Sequence, residues 1–176
     1  TGGGKTLLAT HTIDCVNKYF LRKRTGFVLW IVPTTAIYTQ TLKALRNREH
    51  TYRQVLDISS GGRTQILEKT DTFTPQDVQE NLVIMLLMLP SASRQNKETL
   101  KIFQDAKGFE QFFPAEDDLK ANEALLKKFP NLDCFGKPGE AWGRQIKTSL
   151  GNTLRFLKPI IVIDEGQKAY SDIAQS

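Results

Sequence analysis

Three stretches of this chain are apolar at every position, and they restrict the possible folds more than any other feature. They are "FVLWIV" (Phe27 to Val32), "LVIMLLML" (Leu82 to Leu89) and the "IIVI" inside "PIIVIDE" (Pro159 to Glu165). None shows the polar alternation of a strand with one wet face. A strand that is apolar on both sides must be covered on both sides, as in a parallel sheet flanked by helices. Pro33 ends the first run, Pro90 the second, and two acids follow the third. Between the runs, the apolar spacing changes to that of helices. Ala9, Ile13, Val16 and Phe20 recur at steps of four, three and four, which predicts a helix with one buried face and a stop before Gly26. Thr34 or Thr35 can cap a second helix with Ile37, Leu42 and Leu45 on one side. Beyond the break at Gly61-Gly62, "TQILEK" is a short strand candidate, and "FTPQDVQEN" reads as a capped helical turn with Pro75 at its first position. Helices alternating with fully apolar strands give an expected α/β fold around a mostly parallel sheet.

The rhythm breaks between about Ser91 and Gly143. That stretch has helical spacing around Leu119, Leu125 and Leu126, then proline and glycine punctuation, and no apolar strand. The expectation is a mainly helical insertion over 94–143 within a domain formed by 1–93 and 144–176. A length of 176 residues suits about one ordinary domain. The longest apolar run, from Leu82 to Leu89, is less than half of the roughly 20 residues that a membrane-crossing helix needs. The start lacks a basic flank followed by an apolar core, so no secretory signal is read. Cys15 and Cys134 lie too far apart in sequence to form a metal-ligand pair and read as reduced thiols of a cytoplasmic protein. The net charge of +5 is concentrated early: residues 1–50 carry eight Lys/Arg against Asp14 and Glu49. That bias is compatible with a polyanionic partner, although Arg22–Arg24 also suit the carboxyl end of a helix.

The first residues, "TGGGKT", match the end of the phosphate-loop pattern G-x-x-x-x-G-K-[ST], whose first glycine would precede Thr1. A triphosphate has to be met by donors that approach closely, so the loop must lack side chains. Gly2, Gly3 and Gly4 meet that demand, and their amides would form an anion nest at a helix start. Lys5 would reach the β and γ phosphates of ATP, and the Thr6 hydroxyl would ligate Mg²⁺. At the other end of the chain, acids closing an apolar strand need compensation, which a divalent cation with phosphate supplies. Asp164 is the candidate Mg²⁺ ligand, and Glu165 the candidate to orient or deprotonate an attacking water. In open parallel sheets, ligands gather outside the carboxyl ends of strands. The two motifs can therefore meet although 159 positions separate Lys5 from Asp164. Together they predict a P-loop NTPase. Other residues get structural readings: His11 and His50 as non-ligands, Trp30 as core, Trp142 as a packing residue beside Arg144 and Lys147, and Asp117 with Asp118 as a solvated helix start.

With "TGGGKT", "IVPTTAIYTQT" and "VIDEGQKAYS" in view, the chain resembles the first motor domain of superfamily 2 helicases. More narrowly, it is similar to the restriction (helicase–nuclease) subunit of type III restriction enzymes, also through "ETLKIFQD", "FFPAEDD" and "QIKTSLGNTLRFLKPIIVIDEG". The resemblance implies a RecA-like fold, ATP and Mg²⁺ as cofactors, and duplex DNA as the track. It implies motif I at Gly2–Thr6, and nucleic-acid backbone contacts from Pro33, Thr34 and Thr35. It also implies motif II at Asp164, Glu165, Gly166 and Gln167. Gln167 stands where the family usually has histidine and would couple the ATP site to strand movement. Further implied are a second RecA-like domain and a nuclease domain in the same parent chain, and a modification (methyltransferase) subunit as partner, with no membrane. On this reading the chain is a fragment of one motor lobe and hydrolyses ATP poorly by itself. The alternatives are a superfamily 2 motor for another nucleic acid, including RNA, or a module that binds nucleic acid or a partner without hydrolysis.

Overall fold

The computed structural model describes residues 4–88, 101–136 and 143–165. These divide into two compact units, the first from Thr1–Asp71, Gln76–Ser93 and Pro159–Ser176, the second from Thr72–Pro75 and Arg94–Lys158.

The first unit is built on a four-stranded sheet of β1 (Gly26–Val32), β2 (Thr64–Leu67), β3 (Leu82–Met88) and β6 (Ile160–Ile163). The strand order is β2-β3-β1-β6 and every pair is parallel, with Trp30 level with both Leu86 and Val162. This is the α/β class expected from the apolar runs. Alternate residues of β1 and β3 (Val28, Trp30 and Val32; Leu82, Ile84 and Leu86) form one core with Ile13, Leu45 and Leu56 from three helices. Those helices are α1 (Lys5–Cys15), α2 (Thr35–Arg46) and α3 (Thr51–Ser60). Trp30 is fully buried, as a core residue should be. Fully burying a side chain of the Val, Leu or Ile kind contributes about 1.5–3 kcal/mol, so this cluster is what commits the segment to its layers.

Two expectations need correction. The four-three-four spacing was expected to bury Phe20, yet Phe20 is 82% exposed. The cause is a π turn over Val16–Leu21 directly after α1. Its wider i→i+5 winding shifts the phase of the side chains, and Asn17, four residues past Ile13, enters the core instead. The "PIIVIDE" strand was expected to be buried on both faces, but Ile161 and Ile163 are 57% and 51% exposed. Among the described residues β6 is an edge strand that pairs with β1 alone. Its other face, with Ile160 and Val162, packs on the core.

A charged side chain ties this layer together. Arg53 of α3 is buried, and its guanidinium donates to Asp57 Oδ1 (2.9 Å), to the Leu45 carbonyl (3.2 Å) and to the Thr64 carbonyl (2.9 Å). One residue thereby links the last turn of α2, its own helix and the first residue of β2. A second network joins α2 to the residue after β2: the Tyr38 hydroxyl donates to Glu68 Oε2 (2.9 Å), whose Oε1 meets Arg46 Nη2 at 2.8 Å. Burial, and then the hydrogen bond to Glu68, push the Tyr38 phenol well above its usual range.

The second unit includes α5 (Leu119–Lys128), α6 (Leu150–Leu157) and a short antiparallel pair, β4 (Cys134–Phe135) with β5 (Gln145–Ile146). The turn of Pro75–Glu80, α4, straddles the boundary between the units. Buried amides organise the second unit. Asn122 donates to the Ala115 and Asp118 carbonyls and accepts from the Ile146 amide, while Asn152 does the same for Asp133 and Lys147. Phe73 stacks edge-on against Phe109 and Phe112. Asp118 caps α5 by accepting from the Ala121 amide, which accounts for the acids at that helix start. The compact unit runs on to Lys158, beyond 143, because α6 packs on the 3-10 turn at Lys101–Phe103.

Candidate functional site

The site lies at the carboxyl edge of the sheet in the first unit. Gly4 takes a left-handed φ of 69° as the cap of α1, and its carbonyl accepts the first helical bond from Leu8 at 2.8 Å. Glycine adopts that conformation at no steric cost, so α1 can start at Lys5, the very next residue. Lys5 and Thr6 then fall on the first helical turn, where amides without intrahelical partners face an incoming anion.

Asp164 continues the β1–β6 ladder one residue further, its amide donating to the Ile31 carbonyl at 2.9 Å. Glu165 then adopts a φ of 51°, turning the chain sharply at the strand end. Lys5 Nζ meets Glu165 Oε1 at 2.9 Å. The two motifs, distant in sequence, are thus in direct contact. The Lys5 side chain is 60% exposed and that of Glu165 21%. An ion pair this exposed contributes at most about 1 kcal/mol, so a phosphate competes for Lys5 at little cost.

Gly4, Lys5, Thr6, Asp164 and Glu165 all line one cleft of about 790 Å³. That is within the roughly 300–1,000 Å³ range of small-molecule sites. The rest of the lining comes from α2, α3 and the connection between them, including Lys43, Asn47, His50 and Tyr52. None of these four was singled out as a site residue. Lys43 and Asn47 are exposed, whereas His50 and Tyr52 are partly buried, and only the fold brings the four into the cleft with Lys5. His50 is the cap of α3, its Nδ1 accepting from the Tyr52 amide at 3.3 Å.

β1 lies beside β6, with Ile31 level with Ile163, so Pro33, Thr34 and Thr35 leave the sheet next to Asp164. Thr34 caps α2 through its hydroxyl, which accepts from the Ile37 amide at 3.4 Å. Thr35 donates to Met88 Sδ at 3.6 Å. Both threonines are exposed, so an extended ligand can reach them. Gly2, Gly3, Gly166, Gln167 and Trp142 lie outside the described residues. Among the described residues, no cluster of three or more His, Cys, Asp or Glu is placed to hold a metal unaided. Asp164 and the Thr6 hydroxyl, which line the same cleft, could serve Mg²⁺ of the kind that keeps several waters and takes other ligands from phosphate. The two cysteines are free thiols, and no described helix is long and apolar enough to cross a membrane.

A parallel sheet with a lysine-bearing helix start facing a strand-end acid pair is the architecture of a RecA-like, superfamily 2 helicase-like domain. The sequence matches the family of the type III restriction enzyme, res subunit, over residues 1–129, and the chain belongs to that family. The matched span includes Lys5 and ends before Asp164 and Glu165. Neither a curated protein nor a solved structure matches.

Proposed function

We propose that this domain binds ATP with Mg²⁺ in the Lys5–Glu165 cleft and uses hydrolysis to drive movement on duplex DNA. The observation that carries the reading is the 2.9 Å contact between Lys5 and Glu165 inside one cleft. Lys5 and the amides of the first turn of α1 bind the β and γ phosphates. Thr6 and Asp164 would hold Mg²⁺, which would supply neutralisation of the phosphate charge. Glu165, released from Lys5 when phosphate arrives, accepts the proton of the attacking water or orients it. Pro33, Thr34 and Thr35 contact the backbone of the nucleic acid, and Gln167 links the two events. Membership of the restriction-enzyme family supports DNA as the track, a second RecA-like domain and a nuclease domain in the parent chain, and a modification subunit as partner.

The test is steady-state ATP turnover by the complete protein, with and without duplex DNA, beside its Lys5→Ala variant. Hydrolysis stimulated by duplex DNA and abolished in the variant is the expected result. Stimulation by RNA alone would transfer the reading to a general superfamily 2 motor. No hydrolysis under either condition would leave a binding module without turnover.

A further inference from the structure

A second cleft, of about 420 Å³, lies where the π turn meets α3, lined by Asp14, Lys18, Arg22, Lys23, Arg24 and Ile58. It is at the opposite sheet edge from Lys5, because the π turn leads into Gly26, the first residue of β1. The proposed function makes no use of it. We propose that this surface docks an acidic, amphipathic segment of a partner protein, with apolar side chains on one face and carboxylates beside them.

Two properties of the surface occur together. Tyr19, Phe20, Leu21 and Ile58 are 69%, 82%, 41% and 80% exposed. Ile58 lines the cleft itself, and the other three are consecutive residues of the π turn between the cleft-lining Lys18 and Arg22; exposed large apolar side chains beside a cleft are a mark of interaction sites. Around them stand Lys18, Arg22, Lys23 and Arg24, none of which forms an ion pair with a described residue, while Asp14 is the acid in the cleft. Lys18 Nζ lies 5.1 Å from the Tyr19 ring centre.

The mixture distinguishes between polyanions. Phosphodiester backbones reward cations, and bases reward aromatic faces, but neither rewards the aliphatic Ile58 and Leu21. A protein segment that pairs leucines with glutamates offers partners to the cations and to the apolar side chains alike, with its carboxylates placed away from Asp14. The surface is also held ready. Arg22 takes a left-handed φ of 53°, the Lys23 amide donates to the Asn17 carbonyl at 3.0 Å, and Asn17 is buried. This anchored turn displays Lys18–Arg24 with the backbone already in place, which lowers the ordering cost at binding. π turns of this kind inside helices recur at functional sites.

The experiment titrates fluorescent peptides onto the complete protein: a helical Leu/Glu amphipathic peptide, its scrambled isomer, and a 20-bp DNA duplex as competitor. The amphipathic peptide is expected to bind. Phe20→Ser with Ile58→Ser should weaken it at least tenfold, and Arg22→Glu with Arg24→Glu should do the same. Duplex DNA should not displace it, and ATP turnover should be unchanged in both variants. All four positions are exposed, so circular dichroism and melting should match the parent. Equal binding of the scrambled peptide, or indifference to the apolar pair, would overturn the proposal by reducing the surface to charge alone. Displacement by DNA would overturn it in favour of a nucleic-acid surface, and so would failure of the peptide to bind, in favour of no docking site.

Discussion

Replacing Glu165 with glutamine is expected to separate binding from turnover. Glutamine keeps the shape and one hydrogen-bond acceptor but cannot take a proton, and a positioned general base contributes about 10²–10⁴ in rate. DNA-stimulated ATP hydrolysis by the complete protein should fall by about that factor. Affinity for Mg-ATP should not fall with it. Glu165 meets Lys5 at 2.9 Å and so competes with phosphate for it. Weakening that exposed pair removes at most about 1 kcal/mol of competition, so binding should hold or tighten by up to about fivefold. The checks are a coupled turnover assay and an equilibrium nucleotide titration on the same preparation. A variant that loses binding and turnover in parallel would show that Glu165 maintains the site and performs no chemistry in it.

The largest effect on stability is expected at Arg53, far from any reactive group. Arg53→Leu keeps the bulk but strands the Leu45 and Thr64 carbonyls and the Asp57 carboxylate, all of which Arg53 now satisfies. Removing one member of a buried, hydrogen-bonded charge network costs roughly 3–5 kcal/mol, and we expect the lower figure because Asp57 retains some solvent. For a chain of this length, that lowers Tm by about 6–12 °C in a thermal melt. Arg53→Lys should recover only part of the loss, since an ammonium cannot reproduce the planar fork to three acceptors. A melting temperature within about 2 °C of the parent for Arg53→Leu would refute the clamp.

Arg53 also shows where the sequence stops being readable. The segment over 51–60 gave no helix because its inner face is polar: Arg53, Ser59 and Ser60 are buried there beside Leu56. A charge on a helix pattern reads as solvent-facing unless the acceptors around it are known, and those come from α2 and β2. By contrast, β1 and β3 were legible because their apolar runs serve a sheet covered on both sides, and α2 because Thr34 caps it as its sequence position allows. The π turn at Val16–Leu21 has no local signature, so the helical period was extended one turn too far, to Phe20. The exposure of Ile161 and Ile163 depends on what lies beside β6, which no property of "IIVI" encodes. At the candidate site, the meeting of the two motifs was legible because ligand-facing residues of a parallel sheet gather at the carboxyl ends of its strands, and Lys5 does contact Glu165 there. Lys43, Asn47, His50 and Tyr52 were not, since the wall they form exists only once α2 and α3 fold back over the start of α1.

The central claim is that the cleft joining Lys5, Thr6, Asp164 and Glu165 receives a Mg²⁺-bound triphosphate. The most direct measurement is a calorimetric titration of ATP into the complete protein, with and without Mg²⁺, repeated on Lys5→Ala. The account predicts saturable binding that needs Mg²⁺ and weakens at least tenfold in the variant. Binding indifferent to both Mg²⁺ and Lys5, or no binding to the complete protein, would contradict it.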